Sequence, residues 1–144
     1  MKSKRILSAL LLLCMLSSLF CAPANASVSS SNYLDGYGAV LTPTSGGRIV
    51  ITVDVDGLTR MTQIGASKIH LYESTDNIYF TRIRTYNYSD YPSMMGSGKH
   101  FFEDVVTYSG TAGRYYYAIV YCYAGNSTGY DQKAYTTSIV RAIS

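Results

Sequence analysis

Apolar and polar residues alternate with a period of two along much of this chain, and that period predicts strands. Arg48–Asp56 shows it most clearly. Ile49, Ile51, Val53 and Val55 point one way, Val50, Thr52, Asp54 and Asp56 the other, and Gly57 closes the run. Lys68–Glu73 alternates again, with Ile69 and Leu71 inward and Lys68, His70 and Tyr72 outward. Tyr37–Thr42 predicts a short first strand, ended by Pro43 and the Ser45-Gly46-Gly47 turn. Asp76-Asn77 sits between two strand-like runs, where a tight hairpin turn is expected, with Ile78–Thr85 as the return. His100–Tyr108 reads as a further strand and Tyr108–Gly113 as a turn. Arg114–Ala124, RYYYAIVYCYA, is apolar without interruption, which predicts a central strand covered on both faces. Gly125–Gly129 turns the chain and Ala134–Ala142 supplies a last strand. Tyr86–Gly98, YNYSDYPSMMGSG, keeps neither period and reads as the longest loop, or as a short edge strand with excursions. About seven strands at roughly 8–15-residue spacing predict one two-sheet sandwich over residues 36–144 rather than a barrel.

The first 26 residues follow a different rule. Lys2, Lys4 and Arg5 form a basic start, Ile6 to Phe20 an apolar core, and Ala24-Asn25-Ala26 a small-x-small site. That order is a cleaved secretory signal peptide, residues 1–26. Its apolar core falls short of the ~20 residues of a transmembrane helix, so no membrane span is expected in the mature chain. A lipid anchor at Cys21 is disfavoured by Phe20, where a small residue is wanted. Residues 27–35, beginning SVSSSN, are expected to form a flexible tail.

Cleavage changes the balance of charge. Three of the twelve basic residues leave with the leader and none of the nine acidic ones does, so nine of each sign remain. A neutral domain is expected to have no electrostatic footprint for nucleic acid or anionic lipid. Cys14 and Cys21 also leave, so Cys122 has no partner for an internal disulfide. All fifteen Tyr stay, among many Val, Ile and Thr, which favour a pleated, half-buried surface.

Gly113, one residue, then Tyr115 resembles the lead-in to the tyrosine corner of immunoglobulin and fibronectin type III sandwiches. The resemblance implies that the Tyr115 hydroxyl bonds back to the preceding turn, and that Tyr115, Tyr117, Ile119 and Tyr121 face the core. FFEDVVTYSGTAGRYYYAIVYCYA is likewise similar to a stretch of bacterial fibronectin type III modules. The core Trp and the sheet-bridging cysteines of antibody-type domains are missing. As a whole, the leader with GGRIVITVDVDG, IHLYESTDNIYF and AGRYYYAIVYCYA resembles small secreted proteins of uncharacterised function from Gram-positive bacteria. That likeness implies secretion and brings no activity with it.

Candidate chemistry is sparse. Asp54 and Asp56 share a strand face and invite a calcium reading, but the twelfth position of an EF-hand loop starting at Asp54 is Gly65, not Glu. His70 and His100 have no metal-ligand spacing, and no G-x-S-x-G elbow is present, so both read as solvent-facing strand residues. Cys122 alternates onto the face of Ala118, Val120 and Ala124, where a small buried thiol acts as a hydrophobe. Asn87-Tyr88-Ser89 and Asn126-Ser127-Thr128 match the short N-glycosylation pattern. Tyr86, Tyr88 and Tyr91 are the candidate ligand-binding residues, because clustered Tyr offers flat apolar faces and polar tips at low entropic cost. No catalytic residue, metal or cofactor is implied. The expected function is a secreted, non-catalytic binding or structural module, extracellular or cell-surface associated, with a glycan or a protein as partner. A secreted effector or toxin-like protein, or a hydrolase with a non-obvious site, is the alternative.

Overall fold

Ile49, Ile51, Val53 and Val55 are buried, as their alternation predicts, and they belong to the middle strand of a three-stranded sheet. The computed structural model describes residues 31–144, which form one compact unit. The expected leader and residues 27–30 of the expected tail lie outside the described residues. The strands are β1 (Leu34–Pro43), β2 (Arg48–Met61), β3 (Gln63–Ser74), β4 (Thr81–Asn87), β5 (Met95–Gly96), β6 (Lys99–Ser109), β7 (Tyr115–Asn126), β8 (Gly129–Thr136) and β9 (Val140–Arg141). A 3₁₀ turn, Pro92–Met94, precedes β5. One sheet has the order β1-β2-β6; the other has six strands, four long ones in the order β4-β3-β7-β8, after which it is called the four-stranded sheet, with the two-residue β5 added to β3 and β9 to β7. All pairs are antiparallel. The two sheets enclose a single core in a sandwich, the all-β architecture that the alternation predicts.

Several expected boundaries move. The expected tail ends inside β1, because Leu34 is buried and residues 31–33 are tied down. The Asp131 carboxylate accepts hydrogen bonds from the Ser31 hydroxyl (2.6 Å) and from the N–H groups of Asn32 (2.7 Å) and Tyr33 (2.8 Å). These bonds hold the Asp131 carboxyl below its ordinary range. Gly57 does not end β2, which passes through an irregular register and reaches the buried Met61. The expected last strand is two short ones, separated where the buried Thr137 hydroxyl accepts the Ala118 N–H at 2.9 Å. β3 begins at Gln63, earlier than expected, because a bulge at Ser67 breaks its alternation. Ile64 and Ala66 face inward before the bulge, Ile69 and Leu71 after it.

The largest correction concerns β7. Tyr116, Ala118, Val120, Cys122 and Ala124 are its buried residues. Tyr115, Tyr117, Ile119 and Tyr121, expected in the core, lie on the outer face and are half-buried. The strand is central in its sheet but only one of its faces is covered. The reason is size: opposite the branched side chains of β2 the gap accommodates Ala, Val and Cys, whereas Tyr rings keep their hydroxyls hydrated outside.

Tyr116, not Tyr115, therefore bonds back to the preceding turn. The Thr111 N–H donates to its hydroxyl at 2.8 Å, and that hydroxyl donates to Glu73 Oε2 at 2.5 Å. Arg114 pairs with the other oxygen of Glu73. Gly110 is required here, since an added Cβ would lie 2.9 Å from the Tyr116 ring. Burial, then the bond to Glu73, pushes the Tyr116 hydroxyl pKa up and keeps it a donor. Tyr116→Phe should cost about 2 kcal/mol in urea unfolding, while Tyr115→Phe should change stability by less than about 0.5 kcal/mol. Equal losses in the two variants would contradict this assignment.

Candidate functional site

The three candidate tyrosines do not share one exposed surface. Tyr86 lies in β4 opposite Ile69 and is buried at 5% exposure. Tyr91 follows in the loop, its ring edge-on to that of Tyr86 at 5.1 Å. The Arg84 guanidinium lies 5.5 Å over the Tyr86 ring, and its Nη2 donates to the Tyr91 hydroxyl at 2.8 Å. Tyr88 stands apart, half-buried, with its N–H donating to the Ser67 carbonyl at 3.0 Å. The structure thus brings Tyr86, Tyr91 and Arg84 together as packing at the sheet edge. Burial raises the pKa of the Tyr86 hydroxyl.

The outer face of the four-stranded sheet carries a larger aromatic surface. Antiparallel register places Tyr72 beside Tyr117, His70 beside Ile119 and Lys68 beside Tyr121. Tyr72 and Tyr117 stack at 4.7 Å with their planes 1° apart, and Phe80 meets Tyr117 edge-on at 5.0 Å. His70 contacts Tyr121 at 5.4 Å and Tyr72 at 6.5 Å. Tyr123 and Tyr130 stack at 5.2 Å. Cations border the rings. Lys68 Nζ sits 5.8 Å over Tyr121, Arg141 lies 5.6 Å over Tyr115, and Arg82 is paired with Tyr72 across the ladder. Burial, then Arg82, then Lys68 lowers the His70 pKa below 6.5, so at neutral pH the imidazole is uncharged in a positive field.

None of the nine carboxylates stands on this face. Glu73 and Asp131 share the inward side with Tyr116 and Ala124, Asp76 occupies the β3–β4 turn, and Asp90 lies in the loop after β4. The other five, Asp35, Asp54, Asp56, Glu103 and Asp104, belong to the three-stranded sheet. There Asp54 is directly opposite Glu103, and Asp56 is opposite the half-exposed Phe101. The next rows of that outer face are Val40–Thr52–Val105 and Thr42–Val50–Thr107. Among the described residues no group of three or more His, Cys, Asp or Glu is arranged to hold a metal ion.

His100 is exposed on β6. Cys122 is buried and unbridged, as its alternation predicts. Burial, with a smaller effect of Asp54, pushes its thiol up to about 12. Two shallow surface clefts, of about 170 and 440 Å³, lie beside Tyr123 and Asn126 and beside Arg141 and Ser144. Neither gathers an acid, a base and a nucleophile. Among the described residues no helix is long and apolar enough to cross a membrane.

Tyr86→Ala should destabilise the fold by about 3 kcal/mol and Tyr88→Ala by less than about 1 kcal/mol in urea unfolding, the difference expected for a buried against a half-exposed ring. Cys122 should resist iodoacetamide at pH 8 in the native protein and react once urea is added, since only the thiolate alkylates.

No family model matches the chain, and no curated protein matches it. Among solved structures it is similar to a Northeast Structural Genomics Consortium target, SoR45, determined by X-ray crystallography. That match covers 80% of this chain and 83% of the other, with 6% sequence identity and a TM-score of 0.40.

Proposed function

We propose that this chain is an exported, non-catalytic interaction module of the immunoglobulin-like, fibronectin type III-like class. It binds a negatively charged partner through the outer face of its four-stranded sheet. Two antiparallel sheets, one of three strands and one of four long strands with two short additions, support the class, as does the Tyr116 hydroxyl bonded to the turn before its strand. The basic, apolar, small-x-small leader supports export. The observation that carries the binding surface is the composition of that face: Lys68, Arg82, Arg141 and His70 among Tyr rings, with no carboxylate. Tyr side chains at a binding surface contribute broad contact at small entropic cost.

Ring orientation favours a protein over a sugar. Tyr72 and Tyr117 are stacked on one another, as are Tyr123 and Tyr130, so one face of each of these rings is taken by its neighbour. Edges and hydroxyls remain for the partner, whereas stacking on a sugar needs open ring faces. This moves the binding surface away from Tyr86, Tyr88 and Tyr91.

Binding of residues 27–144 to polyglutamate, polygalacturonate and neutral dextran tests the reading. Both polyanions should bind, less well as salt rises, and Lys68→Glu/Arg82→Glu should abolish binding. Dextran binding that survives in this variant would overturn it. The pH dependence has a definite sign. The groups facing His70 are Lys68 on its own strand, Arg82 on β4, Tyr72, and Tyr121 on β7. An anion on this face offsets the two cations and raises the His70 pKa, so protons are taken up on binding. Affinity should increase as pH falls from 7 to 5, and His70→Gln should flatten that slope.

A further inference from the structure

The acidic surface that fits the Tyr and cation face is present on the same molecule. We propose that chains associate head to tail, the outer face of the three-stranded sheet of one copy docking on the outer face of the four-stranded sheet of the next. This rests on the preceding assignment of the four-stranded face as the binding surface and names its partner as a second copy of this chain.

Charge is the first argument. Asp54 and Glu103 are directly opposite one another across β2 and β6, and like charges in that position repel. Asp56 adds a third carboxylate in the next row of the same face. Of the cations on these strands, Arg48 lies six residues along β2 from Asp54, about 20 Å away at the rise of a strand, Arg60 donates to the Gly98 carbonyl, and Lys99 Nζ lies 5.3 Å over the Phe102 ring. Among the described residues the one ion pair is Arg114 with Glu73, so Asp54, Asp56, Glu103, Lys68 and Arg82 have no ionic partner among them. Each face concentrates one sign of charge. Docking one on the other neutralises both.

Shape and apolar surface agree. Opposite Asp54 and Asp56 on β1 stand Gly38 and Gly36, so no neighbouring side chain on that strand covers the carboxylates. A Cβ at Gly36 would come within 3.1 Å of Asp56 Oδ2. Val40, Phe101 and Val105 are 61%, 50% and 51% exposed beside them, an apolar band on an open sheet face. Across the junction it would meet Ile119 and the edges of Tyr117 and Tyr121 on β7. Sheets stack face to face at a separation of about 10 Å, as they do inside the sandwich.

Three of the four edge strands, β4, β6 and β8, are guarded against the other mode of association, strand addition. Arg84 on β4, Asp104 on β6 and Lys133 on β8 all share the inward side of an edge strand, paired with Leu71, Val53 and Cys122. Inward-pointing charges on edge strands oppose pairing with another chain. Asp104 Oδ2 is shielded from solvent and has no hydrogen-bond partner among the described residues, so the device carries a stability cost. Association then proceeds through faces. The two faces differ and lie on opposite sides of the sandwich, so the contact is heterologous and successive copies stack as an open chain.

Sedimentation of residues 27–144 from micromolar to millimolar concentration in low salt tests the proposal. The average mass should rise continuously with concentration and fall to that of the monomer in high salt. Lys68→Glu/Arg82→Glu and Asp54→Lys/Glu103→Lys should each remain monomeric with an unchanged circular dichroism spectrum, and an equimolar mixture should associate again. A wild-type protein monomeric at every concentration would overturn the proposal. So would association that either variant leaves intact. If wild-type protein stays monomeric yet binds polyglutamate, the second copy is refuted and the binding face stands; failure to bind either polyanion refutes the face itself.

Discussion

Which face of β7 is inside governs everything outside it. The period of a strand is two, so a slip of one residue would exchange Tyr116, Ala118, Val120, Cys122 and Ala124 for Tyr115, Tyr117, Ile119, Tyr121 and Tyr123. The Tyr116 hydroxyl holds the observed phase, accepting the Thr111 N–H and donating to Glu73. Its partners lie on two other segments, the turn after β6 and the strand β3. The lock therefore ties the sequence of one strand to the packing of both sheets. With Tyr116 inward, the four remaining aromatic rings of β7 are outward and available to neighbours on β3, β4 and β8.

Those neighbours give the outer face its chemistry. Tyr72 and Tyr130 stack on it, His70 fills the space between rings, and Lys68, Arg82 and Arg141 place charge along it. Inward-facing Glu73 and Asp131 are committed elsewhere, one to Tyr116 and Arg114, the other to the segment Ser31–Tyr33. Residues 27–144, with nine charges of each sign, are therefore far from uniform. One sheet face is cationic and aromatic; the other collects carboxylates and exposed branched side chains.

Much of the framework is legible in the sequence. Where polarity alternates, as in Ile49 to Val55 and at Ile69 and Leu71, the inward residues are read directly from it. Asp76-Asn77 behaves as the turn its residues suggest: Asn77 has a φ of 61°, and the Asp76 carboxylate accepts the N–H groups of Ile78 and Tyr79. β7 offers no polarity signal, because every residue from Tyr115 to Ala124 is apolar by class. Its signal is size, small residues alternating with large, and the Gly-x-Tyr spacing at Tyr115 points to the opposite phase. The bulge at Ser67 hides the start of β3 in the same way, by placing Ala66 and Ile69 on one side at a spacing of three. Tyr86 and Tyr91 pack edge to face while Tyr88 between them stands apart, since Tyr86 faces inward on β4 and the chain then turns. The charged faces are invisible until the register is known. Lys68 and Arg82, or Asp54 and Glu103, become neighbours only across a ladder.

The direct test of this account is to map which tyrosines of the native protein react with tetranitromethane, reading each site by mass spectrometry. The account predicts modification at Tyr117, Tyr121 and Tyr123, with Tyr116 protected until the fold is lost in urea. Nitration of Tyr116 in the native protein, with Tyr117, Tyr121 and Tyr123 protected, would place the other face of β7 in the core and contradict both the packing and the binding surface built on it.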